Sequence, residues 1–272
     1  MARCLLLTGH VRSFEECKDS ILNTFYNADT DIYACTWDDK GYYSLSKRFD
    51  IPIKRELILP QKELDRFVPI DRHNDIFKTS FISQLHLRLG WVERLKQQWY
   101  CVKKAFELLE DYNEYDTIIR CRFDVKFLGE PLSFEDSDKL NTPAPVVLVD
   151  DIGSNVIRCL RNRQEYTEIH ACDVEKKRDP GRWLYNDHCA WGNAHVMKKY
   201  CNLFDHIDAL YENHNVDISH AERMLEFYIK DTFPPVETNF HEFEYELIKP
   251  DKDLLSKMLK MIKQESKTRR TQ

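Results

Sequence analysis

The stretch YDTIIRCRFDVKF, Tyr115 to Phe127, runs an apolar strand pattern directly into Arg120, Arg122 and Asp124. Ile118 and Ile119 read as the inside of a strand, and two guanidinium groups and a carboxylate at alternate positions fall on one face of an extended chain. Two arginines suit a diphosphate, and an aspartate suits the divalent cation that diphosphates carry. The plainer reading is a solvated edge strand whose arginines pair with neighbouring carboxylates. Both are open at this point.

Upstream of that strand the chain alternates strand and helix. CLLLTG (Cys4 to Gly9) is an apolar run that ends in turn residues, and Phe14 to Tyr26 has helical spacing through Phe14, Cys17, Ile21, Leu22 and Phe25. DIYACTWDD (Asp31 to Asp39) is a second strand, and strand, helix, strand opens a parallel sheet with crossover helices. Lys40 to Ser80, with Pro52, Pro60 and Pro69, reads as an irregular surface insertion. A long helix, Ser83 to Tyr112, then delivers the chain to Tyr115.

Downstream, VVLVDD (Val146 to Asp151) reads as a buried strand and Ile152 to Arg182 as polar loops with short elements. NDHCAWGNAHVMKKY (Asn186 to Tyr200) is a strand that enters a helix near Asn193. Ser219 suits the N-cap of a helix from His220 to Lys230, with Glu222 in the capping-box position. Phe233 to Leu247 is extended and aromatic, and Asp251 to Lys263 is a final amphipathic helix.

Composition narrows the function classes. The 272 residues are 42% hydrophobic and suffice for one large α/β domain or two small ones. Seven glycines, with no phosphate-loop or dinucleotide pattern among them, argue against a glycine-rich phosphate cradle, and a net charge of −6 argues against nucleic acid as a partner. Nine scattered cysteines without a close CxxC pair predict buried free thiols in a reducing compartment. No apolar run is long enough to span a membrane and no signal segment opens the chain, so the expectation is a soluble, cytoplasmic protein.

In open α/β sheets ligands collect at the carboxyl ends of strands. Four expected strand ends are polar: Thr8-Gly9-His10 with Arg12, Thr36-Trp37-Asp38-Asp39, Arg120 to Asp124, and Asn186-Asp187-His188. Four such ends point to a shared site. Each residue also has a plainer role. Thr8 and Gly9 suit a tight turn, Trp37 and Trp191 suit core packing, Asp187 a turn hydrogen bond, Glu222 a helix cap, and His241 is one of ten histidines.

The blocks CLLLTGHVRSF, DIYACTWDD, YDTIIRCRFDVKF and NDHCAWGNAHVMKKY, in that order, resemble the motif order of nucleotide-sugar glycosyltransferases with the GT-A fold. More narrowly they resemble soluble enzymes of bacterial polysaccharide clusters and of the large DNA viruses of algae, which would place a viral protein in the host cytoplasm. The blocks make up about a third of the chain. The resemblance implies a single Rossmann-like domain over 1–272, with a mixed, mostly parallel central sheet flanked by helices. Residues 1–130 would form the nucleotide-binding half, 131–250 the donor-sugar and acceptor half, and 251–272 a C-terminal helix and tail.

The resemblance also implies roles. Thr8, Gly9, His10 and Arg12, with Thr36, Trp37 and Asp38, would meet the nucleotide. Arg122-Phe123-Asp124 stands where the family has Asp-x-Asp, so Asp124 would hold Mn²⁺ or Mg²⁺ with His241, although the first acid is replaced by arginine. Arg120 and Arg122 would meet the diphosphate or donor sugar, Trp191-Gly192 would lie near that sugar, and Glu222 would be the base, with Asp187 in reserve. The chemistry needs charge stabilised on a departing diphosphate and a proton removed from the attacking hydroxyl. The expected activity is metal-assisted, inverting transfer from a UDP-sugar to a hydroxyl of a glycan or glycoprotein acceptor. The alternatives are a nucleotidyltransferase or a non-catalytic sugar-binding module of the same fold.

Overall fold

The computed structural model describes residues 2–38, 44–60, 91–129, 132, 134, 136–143, 146–150, 157–161, 164–168, 183–184, 186–214, 221–232, 236–241 and 245–248. Its first three strands, β1 (Arg3–Gly9), β2 (Thr30–Trp37) and β3 (Ile53–Leu59), are joined by helices α1 (Phe14–Phe25) and α2 (Leu45–Phe49). Helix α3 (Trp91–Phe106) then leads to β4 (Thr117–Arg122) and β5 (Val125–Phe127). Strands β6 (Leu140–Pro143), β7 (Val146–Asp150), β8 (Ile157–Arg161), β9 (Gln164–Glu168), β10 (Trp183–Leu184) and β11 (Cys189–Gly192) follow. Helices α4 (Ala194–Cys201), α5 (Ile207–His214) and α6 (Ala221–Thr232) precede β12 (Thr238–His241) and β13 (Tyr245–Leu247).

The main sheet has seven strands in the order β12-β6-β11-β4-β1-β2-β3. Pairing is parallel from β3 through β2 and β1 to β4, antiparallel on both sides of β11, and parallel again between β6 and β12. Only β11 is therefore reversed, and the sheet is mixed and mostly parallel, as expected of a Rossmann-like α/β fold. Strands β10-β7-β8-β9 form a separate antiparallel sheet.

Burial explains the near-continuous apolar strands, because both faces of the central sheet are covered. Cys4 and Leu6 of β1 and Ile118 of β4 pack with Trp99 and Val102 of α3, Tyr200 of α4 and Tyr228 of α6. Leu5, Leu7, Ile119 and Cys121 point the other way, onto Phe14, Ile21 and Phe25 of α1. Seven of the cysteines, Cys4, Cys17, Cys35, Cys101, Cys121, Cys189 and Cys201, are buried free thiols.

Several expectations need correction. The stretch expected as an irregular insertion contains α2 and β3, the outermost parallel strand, whose alternation is hidden by Lys54, Arg55 and Glu56. Helix α3 ends at Phe106 rather than Tyr112, and a separate 3-10 turn, Tyr112–Glu114, capped by Asp111, precedes β4. The short elements expected among the polar loops of 152–182 include β8 and β9, two five-residue strands of the separate antiparallel sheet. Residues 61–90, Asp39, Ser219 and the helix expected over 251–263 lie outside the described residues.

Candidate functional site

The strand order locates the site before any side chain is considered. From β1 the chain moves outward to β2 and β3, then returns through α3 to β4 on the other side of β1. This reversal opens a crevice between the carboxyl ends of β1 and β4, where ligands bind in open α/β sheets. Thr8 of β1 lies opposite Arg122 of β4 on one side and Cys35 of β2 on the other. Gly9 lies opposite Thr36.

Gly9 ends β1 with φ of +106°, a backbone state that costs any L-residue of ordinary type. A Cβ there would meet no heavy atom within 4 Å, so the need for glycine is conformational and not steric. The turn carries the chain through half-buried His10 and exposed Arg12 into α1. Asp38, half-buried, follows β2 beside it.

Arg120 and Arg122 share the α3 face of β4, as their even spacing requires. Arg120 is fully buried: its Nε donates to Thr8 Oγ1 at 3.0 Å, its Nη1 to the Asp187 carbonyl, and its guanidinium lies 5.7 Å from the Trp99 ring centre. It ties β1, β11's approach and α3 together from inside the fold. Arg122 lies at the opening. Its Nε and Nη2 donate to the two carboxylate oxygens of Asp124 at 2.8 and 2.7 Å, and its Nη1 faces Asp187 Oδ2 at 3.4 Å. Asp124 is not on the strand face but in the turn between β4 and β5, from which its side chain folds back on Arg122.

Asp187 enters from β11. Asn186-Asp187-His188 precedes that strand rather than ending one, but β11 runs antiparallel, so its start lies at the same edge as the end of β4. Arg122 N donates to His188 O at 3.1 Å across that junction. The Asp187 carboxylate accepts from Gln98 Nε2 of α3 and lies 3.3 Å from His188 Nε2. Burial alone would raise its pKa, but the His188 imidazole, the guanidinium groups of Arg122 and Arg120, and the Gln98 amide outweigh it. The carboxyl is held well below the usual range. A carboxylate so stabilised is a poor proton acceptor and a good anchor for guanidinium.

His188 and Tyr245 complete the network around Asp187, although the sequence pattern gives neither a role. Tyr245 of β13 bonds His188 Nδ1 at 3.0 Å and also accepts from Asn186 Nδ2. Both imidazole nitrogens are thus engaged, one toward Asp187 and one toward Tyr245. The adjacency of Asn186, Asp187 and His188 was a signal for part of this network. Nothing in the local pattern marks Gln98 or Tyr245, which are brought in by α3 and β13.

The remaining candidates lie elsewhere. Trp37 is fully buried and stacks on Tyr100 with ring centres 6.1 Å apart, and Trp191 is fully buried against Phe134 and His241. Both are core residues. Thr36 is buried in the same strand. Gly192 admits no side chain, since a Cβ would come within 2.8 Å of Lys139 O and 2.9 Å of Val196 Cγ1. It is a packing glycine where β11 turns into α4, whose first turn is capped by Asn193 Oδ1 accepting from Val196 N at 3.0 Å. Glu222 is the second residue of α6, and its side chain lies outside the described residues.

Asp124 and His241, as placed, do not fit a shared Mn²⁺ or Mg²⁺. Both Asp124 oxygens are taken by Arg122. His241 lies on β12, three strands from β4, a lateral distance of about 14 Å at ordinary strand spacing. There its Nε2 bonds Asn141 Oδ1 at 2.8 Å, and burial pushes its pKa below the ordinary histidine value. Among the described residues no group of three or more His, Cys, Asp or Glu side chains is arranged to hold a metal ion.

Comparison with protein-family models and with curated proteins gives no match. No helix among the described residues is long and apolar enough to cross a membrane.

Proposed function

We propose that this protein is a glycosyltransferase of the GT-A type that uses a nucleoside-diphosphate sugar, with a UDP-sugar as donor and a hydroxyl of a glycan or glycoprotein as acceptor. The observation that carries the reading is the Arg122 guanidinium fork at the crevice between β1 and β4, backed by buried Asp187 and flanked by the positive-φ turn at Gly9. A diphosphate fits such a fork, because phosphoryl oxygens accept paired N–H donors as a carboxylate does.

In this reading the nucleoside lies beside Gly9, His10 and Asp38, and the diphosphate meets Arg122. The acceptor oxygen attacks the anomeric carbon, the bond from that carbon to the diphosphate oxygen breaks, and the electron pair leaves with the nucleoside diphosphate. Arg122 stabilises charge developing on the leaving group. Asp187 keeps that guanidinium in place and is assigned no proton transfer, given its depressed pKa. The hydroxyl proton passes to a carboxylate, for which Glu222 is the candidate, and a single displacement inverts the anomeric carbon. No step is assigned to a metal.

The test is calorimetric titration with a panel of nucleoside-diphosphate sugars, followed by assay of nucleoside diphosphate released with and without acceptor glycans. Saturable binding of at least one donor and its turnover support the proposal. Binding without release favours a sugar-binding module, release of pyrophosphate from a nucleoside triphosphate and a sugar phosphate favours a nucleotidyltransferase, and no binding of any donor rejects the reading.

A further inference from the structure

We propose that Asp124 is a built-in stand-in for the donor diphosphate: its carboxylate occupies the outer donor edge of Arg122 until an incoming phosphoryl group displaces it. The inference rests on the reading that this crevice takes a diphosphate.

The geometry separates the two acids around Arg122. Asp187 is 3% exposed and faces Nη1, on the inner side, whereas Asp124 is 20% exposed and spans Nε and Nη2 on the side open to solvent. The inner contact fixes the guanidinium, and the outer edge is the one a ligand can reach. Two parallel N–H···O bonds to one O–C–O group is also the arrangement in which arginine grips O–P–O, so the occupied edge has the form of a phosphate subsite.

The backbone leaves Asp124 able to withdraw without unfolding the turn. Its carbonyl accepts from Ile248 N at 2.9 Å, and the flanking Phe123 and Val125 are buried, so the main chain is pinned from β13 and the core. Displacement therefore needs rotation of one side chain. Charge favours the exchange as well. Among the described residues Arg122 faces two carboxylates while the outer edge is filled, and an arriving diphosphate would meet a site already carrying the charge of Asp124 unless that side chain leaves.

A purely structural pair would behave differently on mutation, and this gives the test. Inorganic pyrophosphate is titrated in the presence of a chelator against the wild type, Asp124→Asn and Arg122→Gln, with thermal melts of each. The expected result is pyrophosphate binding by Asp124→Asn that is about fivefold tighter or more, the change that corresponds to releasing a partly exposed ion pair, and its loss in Arg122→Gln. Asp124→Ser is read the same way should the asparagine variant not fold. In the wild type, the Arg122 Nε–H resonance is expected to move on saturation with pyrophosphate.

Equal or weaker pyrophosphate binding by Asp124→Asn, no binding by any form, or an unmoved Arg122 resonance overturns the proposal. The outcome is separable from that of the transferase reading. Tighter pyrophosphate binding by Asp124→Asn with no donor sugar bound upholds the stand-in and rejects the donor. Donor binding by the wild type with no gain in Asp124→Asn does the reverse.

Discussion

A carboxylate as buried as that of Asp187 is ionised only if its neighbours supply the charge that water no longer does. Arg122, Arg120, His188 and Gln98 do so, and the pKa is lowered accordingly. The sign follows from linkage. With the folded pKa below the unfolded one, the stabilisation is fully present above the ordinary carboxylate range near pH 4 and is lost as pH falls through the folded value. Asp187→Asn should therefore flatten the acid limb of stability and, by removing the carboxylate that faces Arg122 Nη1 and accepts from Gln98, cost about 1 to 3 kcal/mol near neutrality. Urea unfolding from pH 2 to 7 measures both. His241, also lowered, should lose its contribution as pH falls below about 6.5, and His241→Asn should remove that slope. At this scale the charges of Arg120, Arg122 and Asp124 were legible as alternation. That Arg120 faces inward and Asp124 folds back was not, because both depend on which side of β4 is covered.

Two glycines of similar prominence in the sequence do different work in their elements. Gly9 supplies a positive φ in open space, so Gly9→Ala should cost about 1 to 2 kcal/mol from backbone strain alone. Gly192 has φ in the ordinary range but no room, so Gly192→Ala should cost about 1 to 3 kcal/mol through displacement of Val196 and the chain at Lys139. Chemical denaturation distinguishes them when paired with Val196→Ala, which should rescue part of the Gly192 defect and none of the Gly9 defect. The helices around these glycines were readable from apolar spacing, as for Phe14, Cys17, Ile21 and Phe25 on α1. Strand β3 was not, because an edge strand carries charged residues on its solvent side and Pro52 and Pro60 bracket it.

For the whole molecule, the topology explains why residues far apart in sequence share one edge. Parallel β1 and β4 bring Thr8 and Arg122 abreast, and reversed β11 brings Asp187 in from more than sixty residues later. Alternating strand and helix patterns disclosed the parallel half. The reversal of β11 had no sequence signal, since a short buried strand reads the same in either direction. It is nevertheless what places Asp187 behind Arg122. The same topology sets His241 three strands away from Asp124, although order along the chain had suggested a pair.

The proposed function requires the crevice between β1 and β4 to bind a nucleoside-diphosphate sugar through Arg122. Calorimetric titration of the wild type and Arg122→Gln with a panel of UDP-sugars tests it most directly, with melting temperatures as a check on folding. At least one donor should bind the wild type, and a folded Arg122→Gln should bind it at least about tenfold more weakly, as loss of a charge-assisted bidentate contact requires. Equal affinity in the two proteins, or no donor bound by the wild type, would contradict it.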